Sequence, residues 1–339
     1  MVSVRGYISS NFTKAFLTIF IPFFMIISLV YLVKISILTA QIQINFGELL
    51  LLYSYSLPDI VFYTLPISFV TSLANVLIRL SQDNELIALY ALGLRAKKVL
   101  RSLLLLGVLF SILLLVLSFL AMPLSKQFYK AFKEEKTNDA KLNIVAGELG
   151  QKFGDYYIYV EDEVDGLFQN MVIYNRTDRD NEQFFASKTG RLNNKESTTS
   201  LLLNDGYGYT YSKIKLQEAK YKTLEVYNSS SKSHFDFETL QLFWGKAYTE
   251  EKRMHRAIFF IFISLIPLLS VYLVASFSMI NPRYQANRSF LVIFVVTIFF
   301  YFVASSLRKW GDPYSLVASI IAVWILGQVL FAKLVSRYF

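Results

Sequence analysis

The sequence predicts an α-helical integral membrane protein with six transmembrane helices plus an inserted all-β domain. Three observations carry this. Of 339 residues, 54% are hydrophobic and only 17% charged, where an average soluble domain has about a quarter charged. The apolar residues are gathered into six runs long enough to cross a bilayer, and a polar block of alternating character separates the third run from the fourth.

A helix needs about 20 apolar residues to cross the hydrocarbon core, and the candidate spans are 15–37, 49–77, 99–122, 257–279, 289–307 and 315–334. Arg5 and Lys14 precede the first in the manner of a signal peptide, but the run is too long for a signal core and lacks a small-x-small cleavage site. It reads as a retained helix. The second span carries Pro58, Asp59 and Pro66. Between the second and third spans, Arg79 to Lys98 is too polar at its ends for lipid and reads as a short helix, about 81–93. Ser81 or Asp83 is expected to cap it, Asp83 and Glu85 to complement its dipole, Leu86, Leu89 and Tyr90 to share one face, and Gly93 to end it.

The block 123–256 begins with a lysine-rich stretch, 125–141, that reads as a helical stalk. Beyond it, Asp155–Val160, Met171–Tyr174, Phe184–Ala186, Ser200–Leu203, Tyr207–Tyr211 and Lys220–Tyr227 read as strands. Asp165-Gly166, Asn193-Asn194 and Asp205-Gly206 stand between them as turn signals. A sandwich, a jelly roll and an open barrel all fit this spacing. The organisation is therefore 1–122 with the first three spans and the short helix, 123–256 with the stalk and β-domain, and 257–339 with the last three spans.

Of 34 basic and 25 acidic residues, 20 of each lie within 123–256, so the membrane part holds 14 and 5 and carries the whole net charge of +9. Topology and lipid headgroups account for that charge, which removes a nucleic-acid reading. With the N-terminus inside, the inner segments hold Arg5, Lys14, Arg79, Arg95, Lys97, Lys98, Arg101, Arg283, Arg288, Lys333 and Arg337; the short outer ones hold Lys34, Arg308 and Lys309. The positive-inside rule places both termini in the cytoplasm and the β-domain outside; for a chain rich in Lys, Asn and Tyr, a bacterial periplasm is the expected compartment. Absence of cysteine removes disulfides and thiolate sites, and two histidines exclude His-rich metal sites. No Gly-x-x-x-x-Gly-Lys-Ser/Thr occurs, so the chain has no P-loop and no cofactor is expected.

Leu57-Pro58, Leu65-Pro66, Asn84-Glu85-Leu86, Ala91-Leu92-Gly93 and the basic start of the third span resemble the signature of the lipopolysaccharide-export permeases LptF and LptG, with Asn84 where that family usually has Ser. Arg5-Gly-Tyr7 is similar to the family's N-terminal Arg-Tyr, and Met279-Ile-Asn-Pro-Arg283 resembles the LptF version. The resemblance covers essentially the whole chain. It implies a half-transporter in the bacterial cell inner membrane that pairs with an LptG-like permease and takes an LptB-like ATPase dimer on its coupling helix. It also implies that the β-domain is a periplasmic β-jellyroll, handing lipopolysaccharide to LptC-like and LptA-like jellyrolls by pairing of sheet edges. The coupling residues are then Asp83, Glu85, Leu86, Leu89 and Gly93, with Glu85 the acidic residue set against the ATPase.

Lys34, Arg308 and Lys309 at the outer surface are candidates for lipid phosphates, although a snorkelling lysine or an anchored helix end has the same composition. Asp59 is an intramembrane carboxylate, hence a candidate substrate contact, solvated in a vestibule or paired with Lys34. His255-Arg256 reads as an anchor at the start of the fourth span. Two other classes remain open: a membrane-anchored periplasmic adaptor without transport coupling, and an intramembrane enzyme built on Asp59 and His255, which lack a nucleophile or metal companion at workable spacing.

Overall fold

The computed structural model describes residues 4–39, 44–141, 144–153, 156–175, 181–195, 198–212, 215–227, 236–280 and 289–336. Two compact units emerge: a helical one from 1–38, 46–129 and 237–339, and a second from 39–45 and 130–236.

The helices are α1 (Val4–Thr39), α2 (Phe46–Gln82), α3 (Glu85–Ala91), α4 (Ala96–Val116), α5 (Met122–Lys141), α6 (Leu240–Gly245), α7 (Glu251–Ser278), α8 (Ser289–Trp310) and α9 (Pro313–Leu334). Among the described residues, six helical stretches are long and apolar enough to cross a membrane, and each contains most or all of one expected span. The third span and the stalk form one continuous helix, because a π-helical turn at Leu117–Ala121 joins α4 to α5 without a break.

Inside a bilayer, lipid tails are as apolar as leucine, so helices associate through close packing rather than removal from water. The helices at the centre show this. The most apolar windows of α2 and α7 are 72% and 61% buried, against 6% for α1. Buried serines line both central helices, and several hydroxyls return to their own backbone, as Ser72 Oγ does to the Ser68 carbonyl (2.5 Å) and Ser276 Oγ to that of Tyr272 (2.7 Å). Gly107 lets α4 approach α7: a Cβ there would lie 3.1 Å from the Pro267 carbonyl oxygen. By contrast, α1 attaches through a narrow stripe, Ile8, Phe12 and Phe16, with Phe12 packed on Phe69 (centroids 5.0 Å) and Phe16 on Phe110 (4.9 Å). Further along, Met25, Ile26, Leu29, Val30, Val33 and Ile37 are exposed.

The second unit holds a six-stranded antiparallel sheet in sequence order: β1 (Gln151–Phe153), β2 (Tyr156–Val164), β3 (Leu167–Asn175), β4 (Asn181–Lys195), β5 (Thr198–Ser212) and β6 (Leu216–Tyr227). Its core is Ile144, Ile158, Val160, Phe168, Met171, Ile173, Leu201, Leu203 and Val226. Asp165-Gly166 makes the expected turn, with φ of 51° and 74° at its two residues, as a type I′ hairpin requires. The other two turn signals lie inside strands. Asn193 and Asn194 pair with Ser200 and Thr199, the last pair before the reversal being Lys195 with Thr198. Asp205-Gly206 lies within one long β5, where Gly206 pairs with Tyr221 on β6 and leaves room for that ring. The ladder skips one row across the sheet, Glu161, Asn170, Lys188, Asp205 and Lys222, with φ of 48° at Asn170 and 51° at Asp205. All of this row is exposed, and Asn170 Nδ2 donates to Glu161 Oε2 across it (2.6 Å).

Candidate functional sites at the two ends of the bundle

At the end of the bundle carrying α3, the structure changes how that helix is held. Ser81 does not cap it. Its hydroxyl is buried and bridges α2 to the end of α7, lying 2.8 Å from the Leu77 carbonyl and 3.1 Å from the Ser278 carbonyl, and it accepts from the Ile280 N–H at 3.2 Å. Asp83 does not cap it either, pairing instead with Arg79 in solvent at 3.5 Å. The N-cap position is Asn84, with φ of 59° and no side-chain capping bond. Leu86 is buried, and Leu89 and Tyr90 pack on the same core, as their spacing indicated; burial raises the Tyr90 phenol above its ordinary range. Gly93 ends the helix at φ 78°, with Gly93 N–H donating to the Tyr90 carbonyl (2.9 Å) and Leu94 N–H to that of Leu89 (3.1 Å). This paired closure is a Schellman motif, which a side chain other than glycine would strain.

Glu85 is the residue that this end organises. Tyr7 Oη, from α1, lies 3.0 and 2.9 Å from its two carboxylate oxygens, which share its one O–H. Two parts of the sequence signature, Arg5-Gly-Tyr7 and Asn84-Glu85-Leu86, thus meet across 78 residues. Beside this bond lies a polar cleft of about 280 Å³ between α1 and α2, lined among others by Asn11, Lys14, Thr18, Asn75 and Arg79. Ala88, Ala91 and Leu92 face outward from α3, and Leu92 is 79% exposed.

At the opposite end, Asp59 pairs with Lys126 of α5 at 3.4 Å, not with Lys34. The physical reason is register: the continuous third span carries Lys126 past Asp59, while Lys34 stands exposed, 5.5 Å over the Tyr31 ring. Lys34 and Arg256 still act on Asp59 electrostatically, and the charges of Asp59, Arg256 and Arg308 meet at Tyr63. Arg308 lies 5.4 Å over Phe259 and rims an apolar groove of about 340 Å³, lined among others by Tyr63, Pro66, Ile67, Phe300 and Tyr301. Lys309 turns to Trp310 (5.0 Å) and is absent from that lining. His255 stands 3.9 Å from Glu251 on its own helix. Asp59, Lys34 and Arg308 therefore share one electrostatic neighbourhood, and Lys309 does not join the groove.

Sequence reasoning missed Lys126, Tyr63 and the clamp beside them. Trp244 Nε1 donates to the Phe119 carbonyl at 3.0 Å, within the π-helical turn. Gln127 exchanges two bonds with the Glu238 backbone (3.1 and 2.8 Å), and the Glu238 carboxylate sits between Lys246 and Arg253, whose bonds hold it below the usual carboxylate range. No local pattern reports such contacts, since the partners of Gln127 lie 111 residues away.

Among known families, Lipopolysaccharide export system permease LptF/LptG matches residues 6–337. No curated protein matches the chain. The family match does not separate LptF from LptG, and Asn281-Pro-Arg283 of the stretch that resembles the LptF version lies outside the described residues. Six apolar helices with a sheet domain inserted among them are consistent with the fold of that family. The chain belongs to the LptF/LptG family of lipopolysaccharide export permeases: a multi-pass inner-membrane transporter component, not a catalytic enzyme, that works in an ABC transporter complex with other Lpt proteins.

Proposed function

We propose that this chain is one half of a paired permease that extracts lipopolysaccharide from the outer leaflet of the inner membrane, with an LptG-like second half and an LptB-like ATPase dimer supplying the energy. The observation that carries this is the state of α3. A seven-residue helix is too short to hold itself in water, yet here it is fixed by Leu86 below, Tyr7 at its start and Gly93 at its end, while Ala88, Ala91 and Leu92 stay uncovered. A rigid, small-faced knob suits a groove on a partner subunit. Glu85, Leu86, Leu89 and Gly93 then serve in seating the ATPase, with Asp83 contributing surface charge.

At the other end, the groove under Arg308 suits acyl chains, and the cations Lys34, Arg308, Lys126 and Arg256 suit phosphates on a lipid headgroup, with Asp59 keeping Lys126 in place. Lys309 is better read as a helix anchor. Positive-inside charge supports cytoplasmic termini and a periplasmic sheet. In that sheet, β6 supports hand-over to LptC-like and LptA-like domains: it is a terminal strand of 12 residues, whereas the other terminal strand, β1, has three.

The test is co-purification from native membranes of the wild type beside Glu85→Arg. Recovery of an ATPase and a second six-span protein, with the ATPase lost on charge reversal and the fold retained, is the expected result. Recovery of periplasmic partners alone, indifferent to the substitution, would return the chain to an anchored adaptor.

A further inference from the structure

We infer that Tyr7 is a positioning residue for transport: its bond to Glu85 ties the first span to α3, so that α1 moves when the coupling helix is pushed. This rests on the reading of α3 as the ATPase contact and names the route by which a push there reaches the lipid site.

Three observations combine. The bond is charge-assisted, one O–H shared between both carboxylate oxygens at 3.0 and 2.9 Å, and it joins Tyr7 to Glu85 specifically where the surrounding packing is apolar. It spans a place where α1 and α2 are not in close contact, since the polar cleft of about 280 Å³ opens between them along Asn11, Lys14, Asn75 and Arg79. Alongside it, Ile8, Phe12 and Phe16 hold this end of α1 by apolar packing and ring contacts on Phe69 and Phe110, which carry no directional bond to α3. Third, α1 runs without a break from Val4 to Thr39, with Pro22 inside it as the point where it can bend, and between Tyr7 and Lys34 it extends for about 40 Å. Most of its far half is exposed, with Ser28 bonded to Tyr53 (2.5 Å) and Ile35 buried among the points that touch the bundle. On this inference, a shift imposed at Tyr7 reaches Lys34, one of the cations acting on Asp59, by pivoting α1 about these points of contact.

Tyr7 itself need not touch the ATPase, the nucleotide or the lipid. Removing its hydroxyl leaves α3 seated by Leu86 and Gly93 and leaves Glu85 available to the partner. What is lost is transmission.

The experiment uses the complete complex, this chain with its partner permease and ATPase, in proteoliposomes loaded with lipopolysaccharide. ATP hydrolysed and lipid released are measured together for wild type and Tyr7→Phe. The expected result is retained assembly and hydrolysis with lipid released per ATP falling about tenfold, the factor set by losing one charge-assisted hydrogen bond. A second measurement reads movement directly. The chain has no cysteine, so spin labels at exposed Leu29 on α1 and exposed Leu109 on α4 report the position of the first span. ATP is expected to change that distance in wild type and to leave it fixed in Tyr7→Phe. An unchanged ratio of lipid to ATP, or an unchanged label response in Tyr7→Phe, overturns the proposal. If the wild type recruits no ATPase, the functional reading fails first and this proposal with it, an outcome that the wild-type control alone identifies.

Discussion

Replacing Ser81 with alanine tests whether this hydroxyl is a helix cap or a bridge between spans. As a bridge, Ser81 Oγ accepts from the Ile280 N–H at 3.2 Å and reaches the Ser278 carbonyl at 3.1 Å, in a site where the serine is 1% exposed. Alanine removes both contacts and leaves the Ile280 N–H without its acceptor. A neutral hydrogen bond contributes about 1 kcal/mol, and an orphaned buried donor costs about 1–3 kcal/mol, so Ser81→Ala should destabilise the junction of α2 and α7 by about 2–3 kcal/mol. Asp83→Ala removes only a solvent-exposed pair with Arg79 and should cost below about 1 kcal/mol. Hydrogen exchange in detergent micelles resolves the two, because a local loss of about 2 kcal/mol accelerates exchange at the Ile280 amide by about 30-fold. Equal effects of the two substitutions confined to α3, with Ile280 exchange unchanged, would restore the cap and refute the bridge.

Three further outcomes follow from particular contacts. Gly206→Ala places a methyl against the Ala186 carbonyl and the Tyr221 ring, an overpacking of about 1–3 kcal/mol expected as lost amide protection in β5 and β6 with the spans unaffected. Burial pushes the Tyr221 phenol up from 10.0 to about 12 while its hydroxyl donates to the Ala186 carbonyl (3.0 Å). A raised folded value stabilises below the unfolded one, so that contribution is whole at neutral pH and is lost as pH rises through about 10 to 12; denaturation of the sheet against pH should lose this step in Tyr221→Phe. Lys126→Met, which strands Asp59, should destabilise the bundle more than the double variant Asp59→Asn, Lys126→Met, with a coupling of about 1–2 kcal/mol because Lys126 is 41% exposed, read from detergent unfolding curves.

Much of the architecture was legible in the sequence because long apolar runs report spans directly, and period-two alternation reports strands. The residues that hold the sites were less so. Gly93 was readable, since only a left-handed closure needs glycine after Leu92. Glu85 was readable as a motif residue, but its bond to Tyr7 was not, because 78 residues separate the two and the chain carries no local sign of their meeting. Turn residues misled in the sheet for an opposite reason. Asp205-Gly206 has the composition of a hairpin, yet Gly206 answers to the ring of Tyr221 on the next strand, a tertiary demand that outweighs local propensity. Asp59 was recognisable as an unusual carboxylate, while its true partner Lys126 looked like one lysine of a stalk.

The skipped row through the sheet has a mechanical meaning. Asn170 and Asp205 turn the backbone through positive φ in the same row, and the pairing on either side keeps a single register, with Met171 opposite Ser187 beyond the row and Gln169 opposite Thr189 before it. No residue has been inserted, so the line is a crease rather than a fault: the strands keep one register across it. Glu161, Lys188, Asp205 and Lys222 lie along that line, with the neutral Asn170 between the first two and charges of alternating sign from β4 to β6. Local breaks in pairing of this kind are where a strand bends and its twist increases, so the row sets the curvature of the apolar face behind it while the register on both sides is kept.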